Sequence, residues 1–398
     1  MKEKLSAKKT GFIIMLCIIA AAVTAAIGIG TLLAVRLTDK PSAVSEMTTE
    51  AKADREGIES VEDTDEVITR HGFPYNARDG YIRNISASGK NVAVLEDGCL
   101  SLVGVNGNIL FSAVHSYSSP MMKCAGDRIL LYDKASGYYR VFDNKGEYIN
   151  GFVEEGHIVT GDICKTGKFC LVTSTNTSSS YLTVFDENGK KKEYKWKCSP
   201  EHIIGTAISP DGKSYAAAVI SAENGSAVSK VYFLNNKISQ TPEPYILDSG
   251  AIVQIKFVSS KLLSVITDNN RVILNTKGEI QGYSSSAEFN RLKKVDSDTS
   301  GNSAALTTGL KSLDSQNIVV LDKKNAEKYS AISVEGAKDI AVSQGRVYVL
   351  SDGLVSFYNS KGALTGDSLV NDRCDMVCAA GKVAYCASDT QLFRVIAE

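Results

Sequence analysis

The chain has 398 residues, with 44 lysines and arginines against 45 aspartates and glutamates, and 43% of its residues are hydrophobic. The formal net charge of −1 gives no whole-chain argument for binding nucleic acid. The charge is uneven, since residues 1–35 are basic, residues 36–70 are acidic and the remainder is close to neutral.

Residues 12–35 form an uncharged, largely apolar tract, which is long enough to cross a bilayer as a helix. Four lysines precede the tract and few basic residues follow it closely, so the positive-inside rule places the N-terminus in the cytoplasm. We predict a cytoplasmic tail at 1–11, a transmembrane helix at 12–36 that makes this a single-pass membrane protein, and an extracytoplasmic remainder. A cleaved signal peptide is the alternative, because the alanine-rich stretch at 20–26 contains the small residues of a cleavage site.

Residues 37–66 are acidic, rich in serine, threonine and alanine, and without a sustained apolar period. This composition is typical of a solvated, disordered linker.

Internal repeats dominate the chain from residue 67 onward. Each repeat has a short apolar strand, a polar turn that usually contains glycine, and a more apolar strand, and repeats recur about every 40–50 residues. These turns centre on Gly89, Gly126, Gly167, Gly212, Ser260, Gly301, Gly345 and Gly381. A second hairpin, with a turn of the type Asp/Asn-x-x-Gly, follows most copies, as at Gly146, Gly189, Gly278 and Gly362.

Two hairpins per repeat predict an all-β fold at 67–398, a β-propeller of eight four-stranded blades. The last copy has only three strands. We expect Val67–Thr69 or Phe73–Tyr75 to supply the missing outer strand and close the ring.

The segment Ile208-Ser-Pro-Asp-Gly-Lys-Ser-Tyr-Ala-Ala217 resembles the inner hairpin turn of TolB-type, WD-repeat-like propellers. The match is good in one blade and loose in the others. The whole layout is similar to uncharacterised membrane-anchored propellers of anaerobic Gram-positive bacteria. That resemblance implies a location at the cell envelope and no particular activity.

Eight cysteines follow the apolar tract, and Cys164 and Cys170 flank one inner hairpin as a candidate disulfide. Free buried thiols are the favoured interpretation, because several cysteines recur near the end of the first strand of a repeat, where cysteine acts as a small hydrophobic residue. Residues 296–301 imitate the start of a calcium loop, but the position of the bidentate glutamate holds Thr307, which favours a plain turn. None of the four histidines has metal-ligand spacing, and we assign no catalytic residue, cofactor site or metal site.

Three connections between the second and third strands of a repeat are predicted to be long and polar: 173–180, 221–230 and 308–317. Loops on a rigid scaffold commonly carry binding function, although serine-rich loops also tolerate drift. The candidate binding residues are Ser178, Ser179, Asn224, Ser226, Lys311 and Asp314.

The sequence favours a non-enzymatic binding or scaffold module with a protein or glycan partner at the envelope, and no role in nucleic-acid binding. The alternative is a hydrolase or lyase of envelope sugars or peptides, because propellers build catalytic sites from dispersed residues. A transmembrane sensor ranks last, because the cytoplasmic tail is too short to fold.

Overall fold

A computed structural model describes residues 72–396, apart from 176–178, 238–239, 286–290, 299, 309–314 and 323–328. The predicted tail, transmembrane helix and linker lie outside the described residues. None of the described residues belong to a helix with the length and apolar character that a bilayer crossing requires.

Across the described residues, 32 strands form eight antiparallel sheets of four strands each. The sheets follow one another in chain order, so each sheet is one blade of a propeller. The strands of blades 1 to 4, preceded by β1, are β1 (Tyr75–Asn76), β2 (Ile82–Ser88), β3 (Asn91–Glu96), β4 (Cys99–Val103), β5 (Ile109–Val114), β6 (Pro120–Ala125), β7 (Arg128–Asp133), β8 (Tyr138–Asp143), β9 (Gly146–Phe152), β10 (His157–Ile163), β11 (Phe169–Thr175), β12 (Ser179–Phe185), β13 (Lys192–Cys198), β14 (His202–Ile208), β15 (Tyr215–Glu223), β16 (Ser226–Leu234) and β17 (Tyr245–Ile246).

Blades 5 to 8 continue the same arrangement. Their strands are β18 (Ile252–Ser259), β19 (Leu262–Thr267), β20 (Asn270–Asn275), β21 (Ile280–Ser285), β22 (Leu292–Ser297), β23 (Ser303–Thr308), β24 (Ser315–Leu321), β25 (Tyr329–Glu335), β26 (Asp339–Ser343), β27 (Arg346–Ser351), β28 (Leu354–Tyr358), β29 (Leu364–Leu369), β30 (Met376–Ala380), β31 (Val383–Ala387) and β32 (Gln391–Ile396). Within a blade we name the strands A to D, from the centre of the ring outward.

The ring closes between the two ends of the propeller. Blade 8 takes strands A to C from β30–β32 and its strand D from β1, with Tyr75 opposite Leu392 and Asn76 opposite Gln391. The structure therefore confirms eight blades and places the closing strand at the second of the two predicted segments.

The inner turns that join strands A and B lie where the sequence predicts them. In blade 4, Ser209 N donates to Ser214 O at 2.9 Å and Gly212 N donates to Ser209 O at 2.8 Å. Gly212 has φ +68°, a conformation that glycine adopts without steric cost. The repeated glycine signal is thus a signal for this turn.

Apolar side chains pack between neighbouring blades. There are eight clusters of buried residues in the described chain, and each spans one blade-to-blade interface. The B strands are buried on both faces, as in β3, whereas the D strand β5 is largely exposed. Each sheet buries its faces only when its neighbours are present, so the ring is stable as a whole.

Candidate functional site

The eight A strands surround a central channel that encloses about 720 Å³. Its charged lining residues include Lys123, Asp162, Lys256, Lys294 and Asp296, among many small side chains and glycines. The channel is therefore polar and balanced in charge, not filled by apolar side chains.

Aspartates on the A strands of three blades each form a hydrogen bond to the following blade. In each case Oδ2 accepts a backbone N–H from the A strand of the following blade, at 2.9, 2.7 and 2.9 Å. The pairs are Asp162 with Ile208, Asp296 with Val342, and Asp339 with Val377. These carboxylates belong to different blades and are oriented by backbone amides, so they do not converge on one point as a catalytic pair would.

Two of the channel lysines are also held by a neighbouring blade. Lys256 Nζ donates to the backbone oxygen of Ser297 at 2.5 Å. Lys294 forms an ion pair with Asp339. The side chain of Lys123 is exposed to the channel and makes no hydrogen bond with the described residues. Most of the cationic groups here therefore stabilise the ring.

Burial raises the pKa of two groups that face the channel, Asp162 and Cys124. It raises the pKa of Asp162, while the N–H of Ile208 and the charges of Lys123 and Lys256 lower it. Burial also raises the pKa of Cys124 to about 12, against the smaller opposing effects of Ser86 and Lys123. The Cys124 thiol is thus protonated at neutral pH and is a poor nucleophile.

The groups needed for a common catalytic or metal site are not brought together within the described residues. His115, His157 and His202 lie in or next to D–A connections and do not line the channel. No group of three histidine, cysteine or acidic side chains in this part of the chain has the geometry to hold a metal ion.

The rim formed by the B–C and D–A connections is rich in acidic residues. We call it the acidic rim and define it by the exposed carboxylates of Glu154, Asp248, Asp268, Asp372, Asp375 and Asp389. Basic residues are fewer in the described parts of these connections: Arg78, Lys134, Arg291, Lys338 and Arg373. This rim therefore presents a negative surface to solvent.

Long loops are predicted at three B–C connections of this rim, and for two of them the predicted length is wrong. Strand β15 continues to Glu223 and β16 begins at Ser226, so the predicted 221–230 loop is a hairpin with a two-residue turn. Asn224 and Gly225 both have positive φ, as a type I′ turn requires, and an Asn-Gly pair is the sequence signal for this turn. The ladder likewise extends to Thr175 opposite Ser179, leaving only 176–178 between β11 and β12.

The candidate binding residues separate into three groups. Asn224 and Ser226 are exposed at the tip of the β15–β16 hairpin. Ser179 is buried, and its Oγ donates to Ser199 Oγ at 3.3 Å, so it packs inside the blade edge. Ser178, Lys311 and Asp314, with the third predicted loop, lie outside the described residues.

The candidate disulfide between Cys164 and Cys170 is wrong, because both residues are free thiols. Cys170 lies opposite Asp162 in the hairpin, which makes Cys164 its diagonal neighbour. Diagonal positions are about 7–8 Å apart, whereas a disulfide needs Cα atoms within about 7 Å. The two sulfur atoms instead approach Thr166 Oγ1 at 3.0 Å and Thr206 Oγ1 at 3.4 Å.

The calcium-like segment at 296–301 forms the inner turn of blade 6. Asp298 Oδ1 accepts the amides of Ser300 and Asn302 at 2.8 and 2.9 Å. Asp296 Oδ2 accepts the amide of Val342 in blade 7. Both carboxylates therefore bond to backbone amides, in keeping with the plain turn favoured by the sequence.

The channel residues Lys123, Asp162 and Lys256 were missed by the sequence reasoning. Their only signal is a polar residue inside an otherwise apolar A strand. That pattern also fits a solvent-facing position on any half-buried strand.

Comparison with known proteins gives a family but no activity. The profile of a family of unknown function, DUF5711, matches residues 74–391, so the chain belongs to this family. No curated protein matches the sequence.

Solved structures with similarity to this chain include the two that follow, and the first of them supports the propeller architecture. BamB from Moraxella catarrhalis is similar with a TM-score of 0.51 at 11% identity, covering 81% of this chain and 99% of that one. The hydrazine synthase of Kuenenia stuttgartiensis has a TM-score of 0.46 at 13% identity, covering 82% of this chain and 99% of that one. At this identity the likeness to BamB shows the propeller fold alone.

Proposed function

We propose that this propeller is a non-enzymatic binding module, held at a cell membrane by residues 12–35 with the propeller outside the cytoplasm. The observation that carries the binding role is the use of the channel carboxylates. Asp162 and Asp296, which line the channel, and Asp339, which precedes the lining residue Ile340, each accept an amide of the next blade, whereas the carboxylates that define the acidic rim are exposed. The polar groups of the channel thus hold the scaffold, and the rim offers the surface.

The chemistry of the acidic rim indicates the kind of partner. Glu154, Asp248 and Asp389 come from three different D–A or B–C connections and make no ion pair with the described residues. A protein surface rich in lysine and arginine would complement them, and such complementarity raises the rate of encounter and fixes orientation. A neutral glycan would gain little from this charge.

The membrane location is supported by the sequence of the first 36 residues. An uncharged tract of this length satisfies the requirement for a spanning helix, and the lysines before it set the orientation. Retention of the chain in membranes after alkaline carbonate extraction, with the propeller sensitive to protease outside intact cells, is the expected result. Release of the chain by carbonate would refute the anchor.

The binding role is tested by cross-linking the full chain, reconstituted in lipid nanodiscs, to proteins of an envelope extract. We expect a discrete partner that is captured by the wild type. The triple variant Glu154→Lys, Asp248→Lys and Asp389→Lys should capture at least tenfold less of it, because three negative charges become positive.

A control with the same change in charge is Glu187→Lys, Glu243→Lys and Asp367→Lys, whose residues are exposed but lie away from the acidic rim. This variant should capture the partner as well as the wild type. Equal losses in both variants, or capture of no discrete partner, would contradict the proposal. Turnover of envelope fragments that Asp162→Asn abolishes in a folded protein would show an enzyme instead.

A further inference from the structure

The point where the chain enters the propeller identifies one of its two rims. Gly72 packs against the C–D turn of blade 1 so closely that a Cβ on Gly72 would overlap the backbone oxygen of Asn106. From there the chain runs into β1, strand D of blade 8, and then crosses to the opposite rim at 77–81 before β2. Gly72, the first described residue, therefore lies on the rim that carries the A–B and C–D turns.

This entry rim is rich in lysine. The inner A–B turns of five blades present exposed lysines around the channel mouth: Lys90, Lys165, Lys213, Lys261 and Lys382. The outer C–D turns add more, including Lys145, Lys237 and Lys361. We call this surface the basic rim.

Two acids of the A–B turns on the basic rim bond within their own turns, whereas Glu187 and Glu243 of its C–D turns are exposed. Asp211 Oδ1 accepts from Ser209 Oγ at 2.7 Å. Asp298 accepts the two turn amides described above and also, through Oδ2, Asn302 Nδ2 at 2.8 Å. The propeller thus has an excess of lysines at one rim and an excess of carboxylates at the other, although its total charge is close to zero.

We propose that the basic rim lies against anionic phospholipid headgroups and that the acidic rim faces away from the membrane. The proposal rests on the membrane anchor proposed above. Two independent observations support it: the lysines complement lipid phosphates, and the chain that leads to the apolar tract leaves from the same rim. The opposite orientation would place the carboxylates of the acidic rim against like charge.

The expected strength follows from the number of lysines that reach the lipid surface. Each lysine within about 10 Å of an anionic surface strengthens association roughly fivefold, and salt screens the effect. Three lysines around the channel mouth would therefore change the docked population on the order of a hundredfold.

The test is lysine footprinting of the full chain, reconstituted in vesicles with the propeller outside. Vesicles of phosphatidylcholine alone are compared with vesicles that also contain phosphatidylglycerol, using a membrane-impermeant acetylating reagent and mass spectrometry. With phosphatidylglycerol, acetylation of Lys90, Lys261 and Lys382 should slow at least fivefold, and high salt should remove the protection. Lys134, exposed on the acidic rim, should react at the same rate in both vesicles.

Charge-reversal variants give a second readout. In Lys90→Glu, Lys261→Glu and Lys382→Glu, the remaining basic-rim lysines, such as Lys165 and Lys213, should lose their lipid-dependent protection. Lys134→Glu is the control and should leave that protection unchanged.

Several outcomes would overturn the docking. These are equal acetylation in both vesicles, equal protection of Lys134, or protection that persists in the triple variant. Carbonate extraction of the same vesicles separates this failure from failure of the anchor: a retained chain without protection refutes the docking alone, and a released chain refutes the anchor.

Discussion

Glu96 holds the ring closed, and its removal should weaken the whole propeller. The residue ends strand β3 of blade 1 and is fully buried. Its Oε1 accepts the hydroxyl of Tyr75 at 2.6 Å, and its Oε2 accepts the amides of Arg78 and Asp79 at 2.8 and 2.7 Å. All three donors belong to the segment that starts with the closing strand β1.

The size of the effect follows from these three bonds. Glu96→Ala leaves three donors without their acceptor, and each unsatisfied buried group costs about 1–3 kcal/mol, which sums to about 3–9 kcal/mol. Because the amides of Arg78 and Asp79 are only partly buried, we expect a loss in the lower part of this range, roughly 3–6 kcal/mol. Glu96→Gln keeps one acceptor oxygen and should lose only about 1–2 kcal/mol. Burial and the neighbouring Glu96 raise the pKa of Tyr75, so the phenol remains a donor at neutral pH, and Tyr75→Phe should cost about 1 kcal/mol.

Urea unfolding and hydrogen exchange of the full chain measure these changes. The closing strand pairs with β32 at only two residues, so exchange of Asn76 and Ala77 should accelerate first in the Glu96 variants. In a double-mutant cycle, Tyr75→Phe with Glu96→Gln should be less destabilising than the sum of the single changes, because the two residues share one bond. Wild-type stability in Glu96→Ala, or strict additivity in the cycle, would refute this account of closure.

Three further predictions concern buried polar groups. Because burial raises the pKa of Asp162, the fold favours its protonated form, and the wild type loses stability as pH rises from the unfolded pKa of about 4 through the folded pKa. Asp162→Asn keeps an acceptor for Ile208, so it should lose no more than about 1 kcal/mol at about pH 3 and become relatively more stable towards about pH 7, as urea titrations at both pH values would show. The pKa of about 12 should make alkylation of Cys124 at pH 8 on the order of a thousandfold slower in the native chain than in urea, as mass spectrometry would show. An equal rate in both states would contradict the raised pKa. Arg271 is fully buried, and burial lowers its pKa to about 10, so its charge is costly to keep in the fold. Arg271→Met fills the same space without the charge and should stay within about 2 kcal/mol of the wild type, whereas Arg271→Ala leaves a cavity and should cost about 2–5 kcal/mol, as urea midpoints would show.

The turns of the propeller were predictable because their signal is local. A turn such as Ser209–Ser214 needs a residue with positive φ at one position and a short polar side chain at another, and both requirements appear in the sequence. Repetition of this signal gave the number of blades. The closing strand followed from the requirement that every blade has four strands.

Loop lengths were less predictable because polar composition was taken as a sign of irregular backbone. In the β15–β16 hairpin, serine and alanine continue the ladder to Glu223 opposite Ser226. The Asn224-Gly225 pair was the stronger signal, since it specifies a two-residue turn whatever the polarity of its flanks. At Cys164 and Cys170 the error was one of register, because neighbours across a hairpin can be diagonal and not directly opposite.

The channel could not be derived from local patterns because its contacts join different blades. Asp162 bonds to Ile208, and Asp339 bonds to Val377, in each case across one whole repeat. A polar residue on an A strand has the same sequence pattern whether it binds a ligand or ties two blades together. Only the ring geometry shows that these aspartates have amide partners.

The distribution of charge over the surface also depends on how the strands are connected. A neutral total argues against binding to phosphates only if acids and bases are mixed over the surface. In a four-stranded meander, alternate connections lie on opposite rims, so a lysine preference in one set of turns and an acid preference in the other produce two charged faces. Lys261 at an A–B turn and Asp268 at the following B–C turn are seven residues apart in sequence and belong to opposite rims. Net charge per domain therefore hides the property that would orient this propeller on a membrane, and charge summed separately over alternate connections would reveal it in other propeller sequences.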